Sequence, residues 1–165
     1  MSGATEPGWL TLARTFLGVR EIPGPRHSSV IGEWLRRLRA WWQDDETPWC
    51  GTFVAVVLQQ SGQPIAKHWY RARDWLNWEQ DAGRAVLGAV VVLKRGPAMG
   101  HVGFVVGWDA AGQLLVLGGN QGNAVTIAAF SPDRVLGYRW PAAVPLPAEV
   151  APVFAQVGAP STGEA

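Results

Sequence analysis

The chain has 165 residues, 48% of them hydrophobic, and a formal net charge of +1. That length suits one domain with or without a tail, and the apolar fraction allows a core of ordinary size. The charge balance by itself favours no partner, and the lack of any Lys/Arg-rich run with interleaved aromatics argues against nucleic acid.

A single cysteine excludes an internal disulfide, and no zinc-ligand spacing exists, so no metal and no cofactor is expected. No stretch of about 18 apolar residues is present, so no membrane span is expected. The opening MSGATEPGWLTLARTF has no basic segment leading into a long apolar run. Synthesis in the cytoplasm without a classical signal peptide is therefore the expectation. Ten tryptophans are many for this length. Core packing is their ordinary use, and an aromatic groove for a sugar or peptide is the alternative.

Taken in chain order, Glu6-Pro7 followed by Trp9, Leu12, Ala13, Phe16 and Leu17 predicts a helix with one apolar face, stopped at Gly18. Pro23-Gly24-Pro25 is a turn. Ser28 and Ser29 are caps for a second helix, in which Ile31, Trp34, Leu35, Leu38, Trp41 and Trp42 recur at helical spacing. Arg36, Arg37 and Arg39 then fall on its wet side and read as a solvated face. Thr47 as N-cap and Pro48 at the first helical position predict a third helix. It carries Cys50 in its first turn, enters the core through Phe53, Val54, Val57 and Leu58, and ends at Gly62. A short helical piece is expected between Arg71 and Trp78.

From Gly88 the period changes. GAVVVL, HVGFVVGW, QLLVLGG, AVTIAAF and VLGYRW read as strands joined by short turns, with neighbours pairing antiparallel. The expected class is α+β, with N-terminal helices packed on an antiparallel sheet of about five strands. After Trp140 the chain becomes rich in Pro, Ala and Val. One domain over residues 1–141 and an extended or flexible tail over 142–165 are expected.

The lone thiol sits where chemistry favours it. The first turn of a helix presents free N–H groups and a partial positive charge, which stabilise a thiolate. The same N–H groups suit the oxyanion of an acyl-transfer intermediate. The competing reading of Cys50 is a small buried hydrophobe.

Of three histidines, His27 lies beside Arg26 in a polar loop and reads as surface, and His68 beside Trp69 and Tyr70 is placed to line a groove. His101 opens an apolar strand after Gly96-Pro97-Ala98-Met99-Gly100, a boundary where scaffolds present functional side chains. If Asp109-Ala110-Ala111-Gly112 is the hairpin loop, Trp108 pairs with Gln113 and His101 falls opposite Asn120. Opposed side chains share a face with Cβ atoms about 4.5–5.5 Å apart, so Asn120 is placed to hold the imidazole by its second nitrogen. Gly103, Gly107 and Gly118 share that face and leave room for the Cys50 helix. A bulge at Gly118-Gly119 would shift this register by one. Gln121 and Asn123 are then the alternative third members, and a plain turn role is the competing reading of Asn120.

With these residues in place, the chain resembles papain-like cell-wall hydrolases of the CHAP and NlpC type. Within that group it is similar to a compact bacterial and phage family. The shared motifs are Gly18-Val19-Arg20-Glu21-Ile22-Pro23-Gly24, DETPWC, Arg73-Asp74-Trp75-Leu76-Asn77-Trp78, GHVGF and GGNQ, spread over roughly residues 9 to 141. The resemblance implies a papain-like fold, Cys50 as nucleophile, His101 as base and Asn120 as the orienting residue. It implies cleavage of amide bonds in peptidoglycan peptides. Two positions depart from the pattern: Gly88-Ala89 stands where relatives carry Gly-Asp, and Gly51 follows the cysteine where they often have Ala or Ser.

Trp49, Asp45, Glu46, His68, Trp75 and Gln121 are the candidate substrate-binding residues. The run Asp44-Asp45-Glu46 suits recognition of a free amine, or favourable charge before a helix. Calcium needs more oxygens than three adjacent acids supply. The expected function is a peptidoglycan hydrolase working at the cell wall or periplasm as a monomer, as a phage lysin or an injected toxin. The second route brings in delivery machinery or an immunity protein as partners. A non-catalytic wall-binding module and a thioester-mediated acyltransferase are the alternatives on the same fold.

Overall fold

The computed structural model describes residues 6–22, 28–42 and 48–147. Three helices precede the sheet: α1 (Gly8–Arg14), α2 (Ser29–Arg37) and α3 (Cys50–Gln60). A 3-10 turn over Ala72–Asn77 follows, and then β1 (Gln80–Asp81), β2 (Val90–Arg95), β3 (Met99–Trp108), β4 (Leu114–Gly118), β5 (Thr126–Phe130) and β6 (Val135–Trp140). The chain is thus α+β, in an arrangement compatible with the papain-like CHAP fold.

Local chemistry explains the helix boundaries. Ser28 caps α2, its Oγ accepting from the Ile31 N–H at 3.3 Å. Arg36, Arg37 and Arg39 are exposed, as a solvated face should be. Gly62 stands at φ 80, a left-handed conformation that glycine tolerates, just past the end of α3. Residues 50 to 58 of α3 are all buried, so this helix is apolar all round and lies inside the molecule. It packs on β3 and β4, with α1 and α2 on its other sides. Phe53 meets Phe104 of β3 edge-on, with ring centres 6.1 Å apart.

Two expectations about helices are corrected. The third helix begins at Cys50 with Trp49 in the N-cap position, two residues later than a Pro48 start requires, and Thr47 lies outside the described residues. The second helix ends at Arg37, so Trp41 leaves its apolar face and is 74% exposed.

The sheet is antiparallel throughout, in the order β1-β6-β2-β3-β4-β5. All five expected strands are present, and the short β1 adds a sixth at one edge. Chain neighbours pair from β2 to β5, but β6 does not pair with β5. It crosses to the far side of β2, where Val91 faces Tyr138. Buried β-branched runs such as Val90-Val91-Val92 fit the sheet interior, where both faces are covered.

The β3–β4 hairpin departs from expectation in two ways that cancel. Its loop is longer, because Trp108 pairs with Leu114 rather than Gln113. Asp109 closes that loop, its Oδ1 accepting from the N–H groups of Ala111 at 2.9 Å and Gln113 at 2.8 Å. A bulge between Val105 and Gly107 then restores the expected pairing of Phe104 with Leu117. The β3–β4 pairs stop at Phe104 and Leu117, so His101 and Asn120 do not pair with each other.

Residues 141–147 are tied to the domain. Trp140 Nε1 donates to Val144 O at 2.9 Å, and Arg84 Nη2 donates to Pro147 O at 2.6 Å. The rest of the chain, residues 148–165, lies outside the described residues. No described helix is long and apolar enough to cross a membrane.

Candidate active site

Cys50 opens α3, is 6% exposed and lines a groove of about 400 Å³. The helix that carries it can lie against the end of β4 because Gly119 has no side chain. A Cβ there would stand 2.7 Å from Phe53 Cβ and 2.8 Å from Trp49 Cζ3. Gly51 is equally constrained, since a Cβ on it would collide with the backbone carbonyl oxygen of Trp69. The position where relatives carry Ala or Ser is therefore closed to a side chain here. Of the glycines expected to admit the helix, Gly103 instead makes room for Val116 and Gly118 for Gln121. The close approach to α3 falls to Gly119.

The approach brings Cys50 to His101, which is fully buried on β3. Burial pushes the Cys50 thiol up. Burial is the largest single influence, but the hydrogen bond to the His101 side chain, the His101 charge and backbone hydrogen bonds at Val102 and Gly51 together outweigh it. The net result is a thiol below its ordinary value, hence a larger thiolate fraction at neutral pH.

His101 Nε2 lies 2.8 Å from Gln121 Oε1. The orientation of that amide is fixed by its other end. Gln121 Nε2 donates to Thr126 O at 2.8 Å and Val116 O at 3.2 Å, so Oε1 is the atom left to accept. His101 Nε2 therefore carries the proton of this bond, which leaves Nδ1 as the ring nitrogen not engaged by Gln121. Phe130 stacks on the imidazole, with ring centres 5.6 Å apart and planes 27° from parallel. Gly118 makes the arrangement possible, because a Cβ there would stand 2.5 Å from Gln121 Oε1.

The contact to His101 Nε2 expected of Asn120 is thus made by Gln121. Asn120 is buried at the turn that follows β4, with φ 59, a backbone state Asn tolerates better than most residues. Asn123, the other alternative, also has a left-handed φ, of 61°, and its carbonyl accepts from the Glu21 N–H at 3.0 Å.

Several expected substrate-binding residues face inward. Trp49 is 1% exposed and Trp75 is fully buried, so neither offers a surface to a ligand. Trp49 Nε1 donates to Glu21 Oε1 at 3.0 Å, and Trp75 Nε1 donates to Trp69 O at 3.0 Å. Both are struts of the core, as is Gln121. His68 remains at the surface, its Nδ1 3.0 Å from Asp74 Oδ2, in a recess it shares with Lys67 and Glu79. Asp45, Glu46 and His27 lie outside the described residues.

Two features escaped the sequence reading. Glu21, part of the GVREIPG segment, holds Trp49 directly before the cysteine, and only its place in a motif hinted at a role. Arg71, Arg73 and Arg95 line the Cys50 groove, and none of the three was singled out as a site residue from the sequence. Among the described residues no cluster of His, Cys, Asp or Glu suits a metal ion.

A helix that brings its first-turn thiol to a histidine on an antiparallel sheet is an arrangement compatible with the papain-like fold. Residues 42–120 match the family model of the CHAP domain, a match that supports a CHAP-type cell-wall hydrolase domain. The match covers Cys50 and His101 and stops one residue before Gln121. It points to amidase or peptidase activity related to peptidoglycan. No curated protein and no solved structure matches the chain.

Proposed function

We propose that the protein is a cysteine peptidase or amidase that cleaves an amide bond of the peptidoglycan stem peptide, with Cys50 as nucleophile, His101 as acid and base, and Gln121 as the residue that orients His101. The observation that carries this reading is the Cys50 thiol, held below its ordinary value although buried, in the lining of a groove. A wall-binding module has no need of that arrangement.

The steps follow from the geometry. Cys50 Sγ attacks the substrate carbonyl carbon, and first-turn N–H groups of α3 stabilise the oxyanion. The C–N bond breaks as the proton on His101 Nδ1 passes to the leaving amine. Water then gives a proton to the same nitrogen and attacks the thioester. The acid product leaves, and the Cys50 thiolate is restored beside the protonated His101. Gln121 keeps the ring from rotating through this cycle by accepting from Nε2–H. Such an enzyme acts at the cell wall.

The test is mass spectrometry of fragments released from purified peptidoglycan by wild type and by Cys50→Ala. Fragments from wild type alone support the reading, and their masses name the bond. Equal release by a folded Cys50→Ala protein overturns it.

A further inference from the structure

The groove that Cys50 lines is also basic. Arg71, Arg73 and Arg95 line it, in a chain whose formal net charge is only +1. One described carboxylate shares the lining, that of Asp74, and its Oδ2 stands against His68 Nδ1 at 3.0 Å. Among the described residues no carboxylate lies within ion-pair distance of the three arginines.

Two of these cations have contacts that place them. Arg73 Nε donates to Met99 O at 3.0 Å and Nη2 donates to Gly96 O at 3.1 Å, which leaves other N–H groups of the fork for a ligand. Gly100 makes room for this side chain, since a Cβ there would stand 2.9 Å from Arg73 Cγ. The Arg71 guanidinium sits 5.6 Å from the centre of the Tyr70 ring.

Beside this wall lies a recess of about 290 Å³ lined by Trp41, Trp42, Pro48, Tyr70 and Met99, three of which also line the groove. Trp41 meets Tyr70 edge-on at 4.9 Å and exposes most of its surface. The Cys50 groove and the aromatic recess therefore adjoin, through Pro48, Tyr70 and Met99.

We propose that Arg71, Arg73 and Arg95 form a carboxylate-binding subsite that selects peptides bearing a free carboxylate close to the scissile amide. The inference rests on the proposed function and adds the substrate feature recognised there. Guanidinium forks match the two oxygens of a carboxylate, and a partly enclosed groove weakens screening by salt. A carboxamide has the same shape without the charge, so an amidated wall peptide is a poor ligand.

Direct binding to the Cys50→Ala protein tests this by calorimetry. The probes are a synthetic wall tetrapeptide with free carboxylates and the same peptide with those carboxylates amidated. The acid form is expected to bind about tenfold tighter or more, with a preference that shrinks as salt rises. Arg71→Gln with Arg95→Gln is expected to remove the preference. Equal affinity for the two peptides, or no binding of either, overturns the subsite. If the double variant does not fold, the acid and amide comparison on the Cys50→Ala protein still decides. Wall hydrolysis by wild type is followed in parallel. Cys50-dependent hydrolysis without acid preference sinks the subsite alone, and acid preference without hydrolysis sinks the proposed reaction alone.

Discussion

Gln121 Oε1 accepts the proton of His101 Nε2 at 2.8 Å, and the same Gln121 amide is locked by donating to the carbonyls of Val116 and Thr126. The nitrogen that carries this proton is therefore set by β4 and β5, whereas the thiol comes from α3. Any change in how those strands meet the GGNQGN turn alters which nitrogen Gln121 engages.

Gln121→Ala should lower kcat by about a hundredfold, the scale on which a positioned acid–base group contributes. Asn120→Gly keeps the left-handed φ and should cost less than Gln121→Ala. Steady-state rates of both variants on one wall substrate check the order, and a larger loss for Asn120→Gly would return the orienting role to Asn120.

Cys50 should react with iodoacetamide at lower pH than an ordinary thiol, because its thiolate is favoured in the folded protein. The sign for His101→Ala is opposite. Removing the imidazole leaves burial, which raises the thiol, so the alkylation profile should move to higher pH. Rates measured across pH by mass spectrometry, for both proteins, give the comparison. An unmoved profile would show that His101 does not govern the thiol.

Gly119→Ala and Gly51→Ala each place a methyl group into occupied space. Each should destabilise the fold by about 1–3 kcal/mol, the usual cost of overpacking. Gly51→Ala presses on the rigid backbone carbonyl of Trp69, so it should also displace the cysteine and lower turnover. Thermal melts and wall hydrolysis of the two variants measure the two effects separately.

Glu21→Ala removes the acceptor of the Trp49 indole N–H, a group buried next to the cysteine. The expected cost is about 1–3 kcal/mol for leaving that donor unpaired. Glu21→Gln keeps an acceptor oxygen and should recover most of the stability. Denaturant unfolding followed by tryptophan fluorescence distinguishes them, and equal stability of the two variants would show that the hydrogen bond is immaterial.

Much of the fold was legible in the sequence because its signals are local. Helical spacing of Ile31, Trp34 and Leu35 and the β-branched run of Val90 to Val92 each depend on a few neighbouring residues. Glycine punctuation at Gly62 is read the same way. The pairing of Cys50 with His101 was reachable too, since a thiol at a helix start and a histidine at a strand start are both local patterns. What a local reading missed was compensation at a distance. A longer hairpin loop and a bulge at Val106 each shift the register, and together they restore it, which no property of either segment reveals.

The sequence by itself determined the element types, the antiparallel run from β2 to β5 and the identity of the two residues that meet in the site. Only the tertiary structure decided that β6 crosses to β2, that Gln121 reaches Nε2 of His101, that Trp49 and Trp75 are struts, and that three arginines share the groove. The physical reason is that these outcomes depend on packing between segments far apart in the chain. Excluded volume at single positions such as Gly118 and Gly119 selects which side chain fits, and that volume exists only once the helix and the sheet have met.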